Sequence, residues 1–227
     1  MRKGVISVVV AILGTMSLIV PSATKEGKET NKVEITLPEP EIRGETSLEE
    51  CIQKRRSRRH FTKEDLTLKQ VSQLVWSAQG ITDRERGFRA APSAGALYPL
   101  EIYIVRKDGF YLYRPGEHKL MLKGKGDRRD LLAKAALGQS SVARAPIDIV
   151  ICAVYERVTA KYGKRGMRYT HMEAGHAAQN IHLQAVSLGL GSVPVGAFID
   201  GEVAKTLNLP EDHRPLYIIP TGHPSIP

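Results

Sequence analysis

Ile147-Asp148-Ile149-Val150-Ile151-Cys152-Ala153-Val154 is the stretch on which the fold turns. It is a continuous apolar run, and it predicts a strand at the centre of a sheet, covered on both faces. Working upstream, Glu101–Arg106 and Phe110–Tyr113 read as two strands joined through Asp108-Gly109, a strong hairpin signal. Thr67 and Gln70 form a capping box that opens a helix with Val71, Leu74, Val75 and Ala78 on its apolar face, and Gly80 stops it. Ser47 and Glu50 form an earlier box, opening a helix with Leu48, Cys51 and Ile52 on one face. Downstream, Leu131–Leu137 is helical behind Asp127, and Tyr169–Leu188 is a long helix that ends at Gly189. Ser192–Phe198, a short helix after Asp200, and Pro215–Thr221 complete the chain. Helices and short strands alternate without a strict strand–helix–strand rhythm, so the class is α+β.

The 227 residues include 33 Lys+Arg and 24 Asp+Glu, a net charge of +9, with 42% hydrophobic and 25% charged positions. Such a composition is globular and excludes disorder, collagen-like repeats and a multi-span membrane protein. Cys51 and Cys152 are too few for a disulfide scaffold or a four-thiolate zinc site. Arg2 and Lys3 precede the uncharged stretch Gly4–Val20, and Pro21-Ser22-Ala23 follows, which is the pattern of an export signal. At 17 residues the uncharged stretch approaches a membrane span of ~17–25, so residues 1–23 read as a signal peptide or an uncleaved anchor. The basic start places the remainder outside the cytoplasm; a misread start would leave it cytoplasmic. Without residues 1–23 the balance is 31 against 24, or +7. Residues 24–46 read as a linker, polar from Lys25 to Lys32 and extended through Leu37-Pro38-Glu39-Pro40. Residues 47–227 then form one domain.

Several motifs fail on their spacing. Gly189-Leu190-Gly191 has Pro194 where a dinucleotide fingerprint needs its third glycine, and it leads from helix to strand. His171 and His176 are five apart rather than the four of a zinc helix, and they have no cysteine partner nearby; no metal site is expected.

Two stretches carry chemistry. In Lys54-Arg55-Arg56-Ser57-Arg58-Arg59-His60, five cations stand among six residues at a helix end, more than the helix dipole asks for. The run fits a concentrated anion, a solvated surface or a nucleic-acid contact. In Arg89-Ala90-Ala91-Pro92-Ser93-Ala94-Gly95-Ala96-Leu97-Tyr98-Pro99, small side chains let the backbone approach a flat polar ring.

Together with Gly138-Gln139 before Ala145-Pro146, and Ala177-Ala178-Gln179-Asn180 running into Gly189-Leu190-Gly191, these stretches resemble the FMN-dependent nitroreductase superfamily. The Pro92–Pro99 loop and Lys161-Tyr162-Gly163-Lys164-Arg165 resemble its SagB-type dehydrogenase branch, which includes azoline oxidases of modified peptides. The resemblance covers roughly residues 38–224.

It implies a mixed or antiparallel sheet flanked by helices, in an intertwined homodimer with FMN at each subunit interface. Arg55, Arg56, Ser57 and Arg59 would hold the phosphate and ribityl chain. Pro92, Ser93, Ala94, Gly95 and Leu97 would reach the isoalloxazine of the partner subunit, with Gln139 in the cofactor site and Pro194, Val195 and Gly196 along the ring. Lys161 and Tyr162 would serve proton abstraction alongside hydride transfer to flavin N5, with electrons passed on by a ping-pong scheme. Only Ser225-Ile226-Pro227 follows Gly222-His223-Pro224, where many nitroreductases carry a basic residue, so the phosphate would rely on the Arg55–Arg59 cluster, with Arg165 or Arg168 as further help. The implied activity is dehydrogenation of an azoline or peptide-derived substrate. The alternatives are NAD(P)H-dependent reduction of nitro compounds, quinones or flavin and, from another class, a basic nucleic-acid- or membrane-binding protein. With the FMN phosphate as the anion the arginines would hold, no nucleic-acid partner is expected.

Overall fold

The computed structural model describes residues 33–225 and the isolated positions Met1 and Gly4, so the targeting segment and residues 24–32 lie outside the described residues. The domain is built on a seven-stranded sheet in the order β1-β6-β5-β4-β7-β9-β8, with β8 at Gly191–Ser192, and every pair in it is antiparallel. β7 (Ile147–Ala153) lies between β4 (Leu100–Arg106) and β9 (Arg214–Gly222). Its alternate side chains enter two different cores. Ile147, Ile149, Ile151 and Ala153 pack with α2 (Leu68–Gln79) and α6 (Arg165–Ser187). Val150 and Cys152 face the other way, toward α3 (Arg129–Ala135) and α7 (Asp200–Thr206). Two covered faces explain the apolar run. Asp148 shares the second face and is fully buried, and neither carboxyl oxygen has a hydrogen-bond partner among the described residues. Burial raises it well above the usual carboxylate range.

The expected α2 face is fully buried, and Thr67 and Gln70 cap each other's backbone as a complete box. At α1 (Leu48–Lys54) only half a box forms: Ser47 accepts from the Glu50 N–H at 3.1 Å, while the Glu50 carboxylate turns to Lys54. The hairpin joins β4 to β5 (Gly109–Arg114) as expected, with Arg106 opposite Gly109.

The domain starts earlier than residue 47. β1 (Glu34–Thr36) pairs with β6 (Lys119–Lys125), and Leu37 enters the core behind it. Pro38 is tied down as well, its carbonyl accepting from Ser72 Oγ at 2.5 Å with His118 Nε2 at 3.0 Å. The linker reading fails here because β1 is a three-residue edge strand with a single buried neighbour, too short to show alternation.

Candidate functional site

The Pro92–Pro99 loop enters β4 and contains a 3-10 turn at Ala94–Ala96. Gly95 (φ 64°), Ala96 (φ 53°) and Tyr98 (φ 47°) are all left-handed, which costs a residue with a side chain about 1–2 kcal/mol. The strain is held by contacts that converge on Tyr98. Its N–H donates to Ser93 Oγ at 2.9 Å, and its carbonyl accepts from Arg157 Nη1 at 3.0 Å. Its hydroxyl accepts from the Arg89 N–H at 3.1 Å, and the Arg89 guanidinium lies 4.6 Å from its ring centroid. Arg157 is in turn ion-paired with Glu101. Such over-determined strain is characteristic of functional loops.

Beneath the loop, on the buried face of α6, lies Glu173, only 2% exposed. Its Oε1 accepts from Gln79 Nε2 at 3.3 Å, and Gln79 Oε1 accepts from Arg89 Nη1 at 3.1 Å. Desolvation pushes Glu173 up to about 7, opposed by hydrogen bonds from Ser93 and Gln79 and by the Arg89 charge. Ser93 thus turns its hydroxyl oxygen toward the backbone of Tyr98.

Lys161 and Tyr162 close α5 (Glu156–Tyr162) and meet the loop from its other side. A Cβ placed on Gly95 would stand 2.7 Å from Tyr162 Oη and 3.2 Å from Lys161 Nζ. Lys161 Nζ is 5.4 Å from the Tyr162 ring centroid, and Tyr169 packs edge-on against that ring. Two stretches separated by more than sixty residues are thus in contact within one chain.

The arginine segment stands elsewhere. Ser57 forms a parallel bridge with Ser192, and the Arg58 N–H donates to the Ser192 carbonyl at 3.0 Å. Gly191 makes this approach sterically feasible, since a Cβ there would lie 2.7 Å from Arg58 Cβ. Arg56 donates to its own backbone neighbours, the Gln53 and Arg55 carbonyls. Among the described residues none of Arg55, Arg56, Arg58 and Arg59 is ion-paired, in contrast to Lys54 with Glu50. Behind the segment, His182 Nδ1 lies 2.7 Å from Ser192 Oγ, while Nε2 is buried without a partner among the described residues. Burial, then the Arg55 charge, lower His182 to about 4 and keep the ring neutral. Unpaired guanidiniums on this segment, with Arg55 acting on an imidazole whose Nε2 lacks a partner, fit the oxygens of a phosphate.

From Ser192 the chain runs beside β9, where Val195 and Ile218 exchange both backbone hydrogen bonds, leaving Pro194 and Gly196 exposed. Gln139 Nε2 donates to the Ala136 and Ala197 carbonyls at 3.1 and 3.0 Å, so it braces this segment from the α3 side.

These pieces fall at opposite ends of the sheet. The loop enters at Leu100, opposite Ala153, whereas Ser192 pairs with Thr221, which is opposite Ile147. From Ala153 to Ile147 is about 20 Å along β7. Arg165 and Arg168 begin α6 at the loop end, and Arg168 is about 21 Å along the helix from His182, so neither reaches the arginine segment of its own chain. Glu173 and His182 were not singled out from sequence. A helical wheel carries the signal for Glu173, because it falls on the stripe of Thr170, Ala174, Ala177 and Ile181.

The nitroreductase family profile matches residues 52–223. The chain belongs to the nitroreductase family. It is an oxidoreductase with the nitroreductase fold, in a family that is flavin-dependent in general. MJ1384 of Methanocaldococcus jannaschii, assigned as a nitroreductase, is 47% identical over 196 residues, covering 84% of this chain and 96% of its own. The Escherichia coli microcin B17-processing protein McbC is 30% identical over 158 residues, covering 65% of this chain and 58% of McbC. Among solved structures, a Ralstonia eutropha protein assigned as a nitroreductase matches with a TM-score of 0.78 at 33% identity, over 86% of this chain and 90% of that one. A chain of the Escherichia coli microcin synthetase McbBCD complex with truncated pro-MccB17 bound matches with a TM-score of 0.66 at 26% identity, over 94% of this chain and 85% of its own. The family assignment of the SagB-type branch rests on these last relatives.

Proposed function

We propose that this nitroreductase-family chain is an FMN-dependent dehydrogenase acting on an azoline or another peptide-derived substrate, and that it works as a homodimer with a flavin at each subunit interface. The observation that carries the reading is the contact of Lys161 and Tyr162 with Gly95 of the loop. Bound FMN supplies the acceptor for a hydride leaving a substrate carbon. Dehydrogenation also releases a proton, and Lys161 Nζ or Tyr162 Oη, beside Gly95 of the loop, would take it. Arg55, Arg59, Ser57 and the His182 Nε2 group would hold the phosphate, with Arg56 at its edge. Pro194, Val195 and Gly196 would line one side of the ring, braced by Gln139.

The dimer is supported by the separation of the two half-sites within one chain, which a partner's loop would remove. It is supported also by exposed apolar side chains, Leu48 and Ile52 on α1 and Met172 on α6, which a second copy would cover. Pro92, Ala94 and Leu97 would then approach the partner's flavin, with Ser93 serving from within the loop.

The relation to McbC favours peptide-derived heterocycles, and the relation to MJ1384 favours a second reading, NAD(P)H-dependent reduction of nitro compounds, quinones or flavin. Steady-state assays separate the two. Turnover of a thiazoline peptide without nicotinamide, with dioxygen reoxidising the reduced flavin, supports dehydrogenation, whereas turnover that requires NAD(P)H supports reduction. Export or anchoring through residues 1–23 is proposed from their sequence, and detection of the full-length chain only in soluble cytoplasm would overturn it.

A further inference from the structure

We propose that Arg157 is a positioning residue for the Lys161–Tyr162 pair, holding α5 against the Pro92–Pro99 loop so that both side chains stay beside Gly95. The inference rests on the dehydrogenase reading of that pair and deepens it by naming the group that aligns it. α5 has only seven residues, and its N-cap, Tyr155, makes no side-chain capping bond. A helix this short is not stable alone, so its position must come from its contacts. They fall on two sides. Toward α6, Gly166 lets the two backbones meet, since a Cβ there would stand 2.8 Å from the Thr159 nitrogen and 2.9 Å from its Cα. Toward the loop, a single guanidinium spans two acceptors. Arg157 Nη1 donates to the Tyr98 carbonyl at 3.0 Å, and Nη2 donates to the Glu101 carboxylate.

Lys161 lies four residues beyond Arg157, on the same face of α5 and about 6 Å further along it. Gly95 lies three residues before Tyr98. Helix and loop are therefore joined at two successive points, Arg157 with Tyr98 and the Lys161–Tyr162 pair with Gly95. One turn of helix links the points, so a shift at Arg157 moves Lys161 Nζ and Tyr162 Oη relative to the loop. The Val154 N–H also donates to the Pro99 carbonyl, at 2.8 Å, which fixes the foot of α5 but not its tilt. Glu101 stands on β4, opposite Cys152 of β7, so Arg157 ties the loop and the helix to the rigid sheet at once. The fork of the guanidinium matters as much as its charge. A lysine ammonium is a point charge on a flexible stem and cannot hold a carbonyl and a carboxylate in fixed geometry.

The test compares the full-length wild type with Arg157→Leu, which has no donor, and Arg157→Lys, which keeps the charge without the fork. The first readout is the nuclear Overhauser contact between the Gly95 α-protons and the Tyr162 ring. Wild type should show it, and both variants should lose it or weaken it severalfold. The second is turnover of a thiazoline peptide by the FMN-loaded protein, where kcat should fall at least about tenfold while KM and bound FMN stay near wild type. Should Arg157→Leu fail to fold, Arg157→Lys makes the same comparison. A wild type without the contact overturns the proposal, and so does a folded variant that keeps it at full strength. A variant that loses the contact yet keeps the wild-type kcat overturns it as well. Normal turnover in Lys161→Ala would count against the dehydrogenase reading of the pair, while the Overhauser contact would still decide whether Arg157 places it.

Discussion

Gly95 and Tyr162 lie so close that a single added methyl group at Gly95 would stand 2.7 Å from the Tyr162 hydroxyl oxygen. The contact joins a left-handed turn before β4 to the last residue of α5. Gly95→Ala should therefore act on Tyr162 and Lys161 more than on the fold. The left-handed cost is about 1–2 kcal/mol, or a few degrees in melting temperature. Turnover should fall tenfold or more, by about the amount expected when a proton-transfer group is displaced. A variant with wild-type turnover would show that this contact is incidental.

Arg55 and Arg59 are expected to carry the phosphate end. Each charge-assisted hydrogen bond lost should cost about 1.5–3 kcal/mol, a drop of roughly ten- to hundredfold in FMN affinity for Arg55→Ala or Arg59→Ala. Riboflavin, which has no phosphate, should bind wild type and variants alike. Fluorescence titration with both ligands checks this, and an equal loss for riboflavin would place the arginines elsewhere.

Gly191→Ala should reach the same site through packing. The added Cβ would lie 2.7 Å from Arg58 Cβ and 2.9 Å from its Cγ, both close to the backbone, where little can yield. The Ser57–Ser192 bridge should open, with a stability loss of about 1–3 kcal/mol and weaker FMN binding. Denaturant unfolding together with the FMN titration measures both, and a variant unchanged in each would contradict the close packing.

His182 and Glu173 make opposite contributions to stability. His182 falls to about 4 in the fold, so between there and its ordinary value of 6.5 the unfolded chain binds the extra proton. Its contribution is present above 6.5 and is lost as pH falls toward 4. Glu173 rises to about 7, so its contribution is present below 4.5 and is lost as pH climbs to 7. Asp148, also raised, acts in the same sense as Glu173. His182→Asn should expose the carboxyl slope, so that stability relative to wild type declines as pH rises from 4 to 6.5. Urea midpoints across that range test it, and parallel profiles would contradict it.

The sheet and its main helices were legible because their signals are repetitive. Val71, Leu74, Val75 and Ala78 repeat at helical spacing, and β7 is apolar on both faces because both are covered. The Asp108-Gly109 turn and the Thr67–Gln70 box are local chemistry that survives folding unchanged. β1 was missed because it is a short edge strand, and β6 because Lys119, Lys123 and Lys125 leave only Leu120, Met121 and Leu122 as an apolar signal. Within the site, the loop and the Lys161–Tyr162 pair were legible as residue types, yet their contact depends on how α5 returns over β4, which no local pattern encodes. Glu173 lies on the buried stripe of α6, but its polar partners are not adjacent in sequence. Only its neighbours Gln79, Arg89 and Ser93, brought from three other segments, make its burial tolerable.

Tyr98→Phe should test how the loop is restrained. It removes the hydroxyl that accepts the Arg89 N–H, leaving a part-buried donor unpaired at a cost of about 1–3 kcal/mol. The Arg89–ring contact survives, so the loop should loosen without unfolding, and proteolysis should cut near Gly95 faster than in wild type. Equal cleavage rates would mean that the remaining ties suffice.

The most direct measurement is anaerobic bleaching of the flavin band when a thiazoline-containing peptide is mixed with FMN-loaded protein, in wild type and in Lys161→Ala. Wild type should bleach, and Lys161→Ala should keep its FMN and its colour, because the hydride cannot leave without a base for the proton. Bleaching of Lys161→Ala at the wild-type rate, or a wild-type protein that binds no FMN, would contradict the assignment.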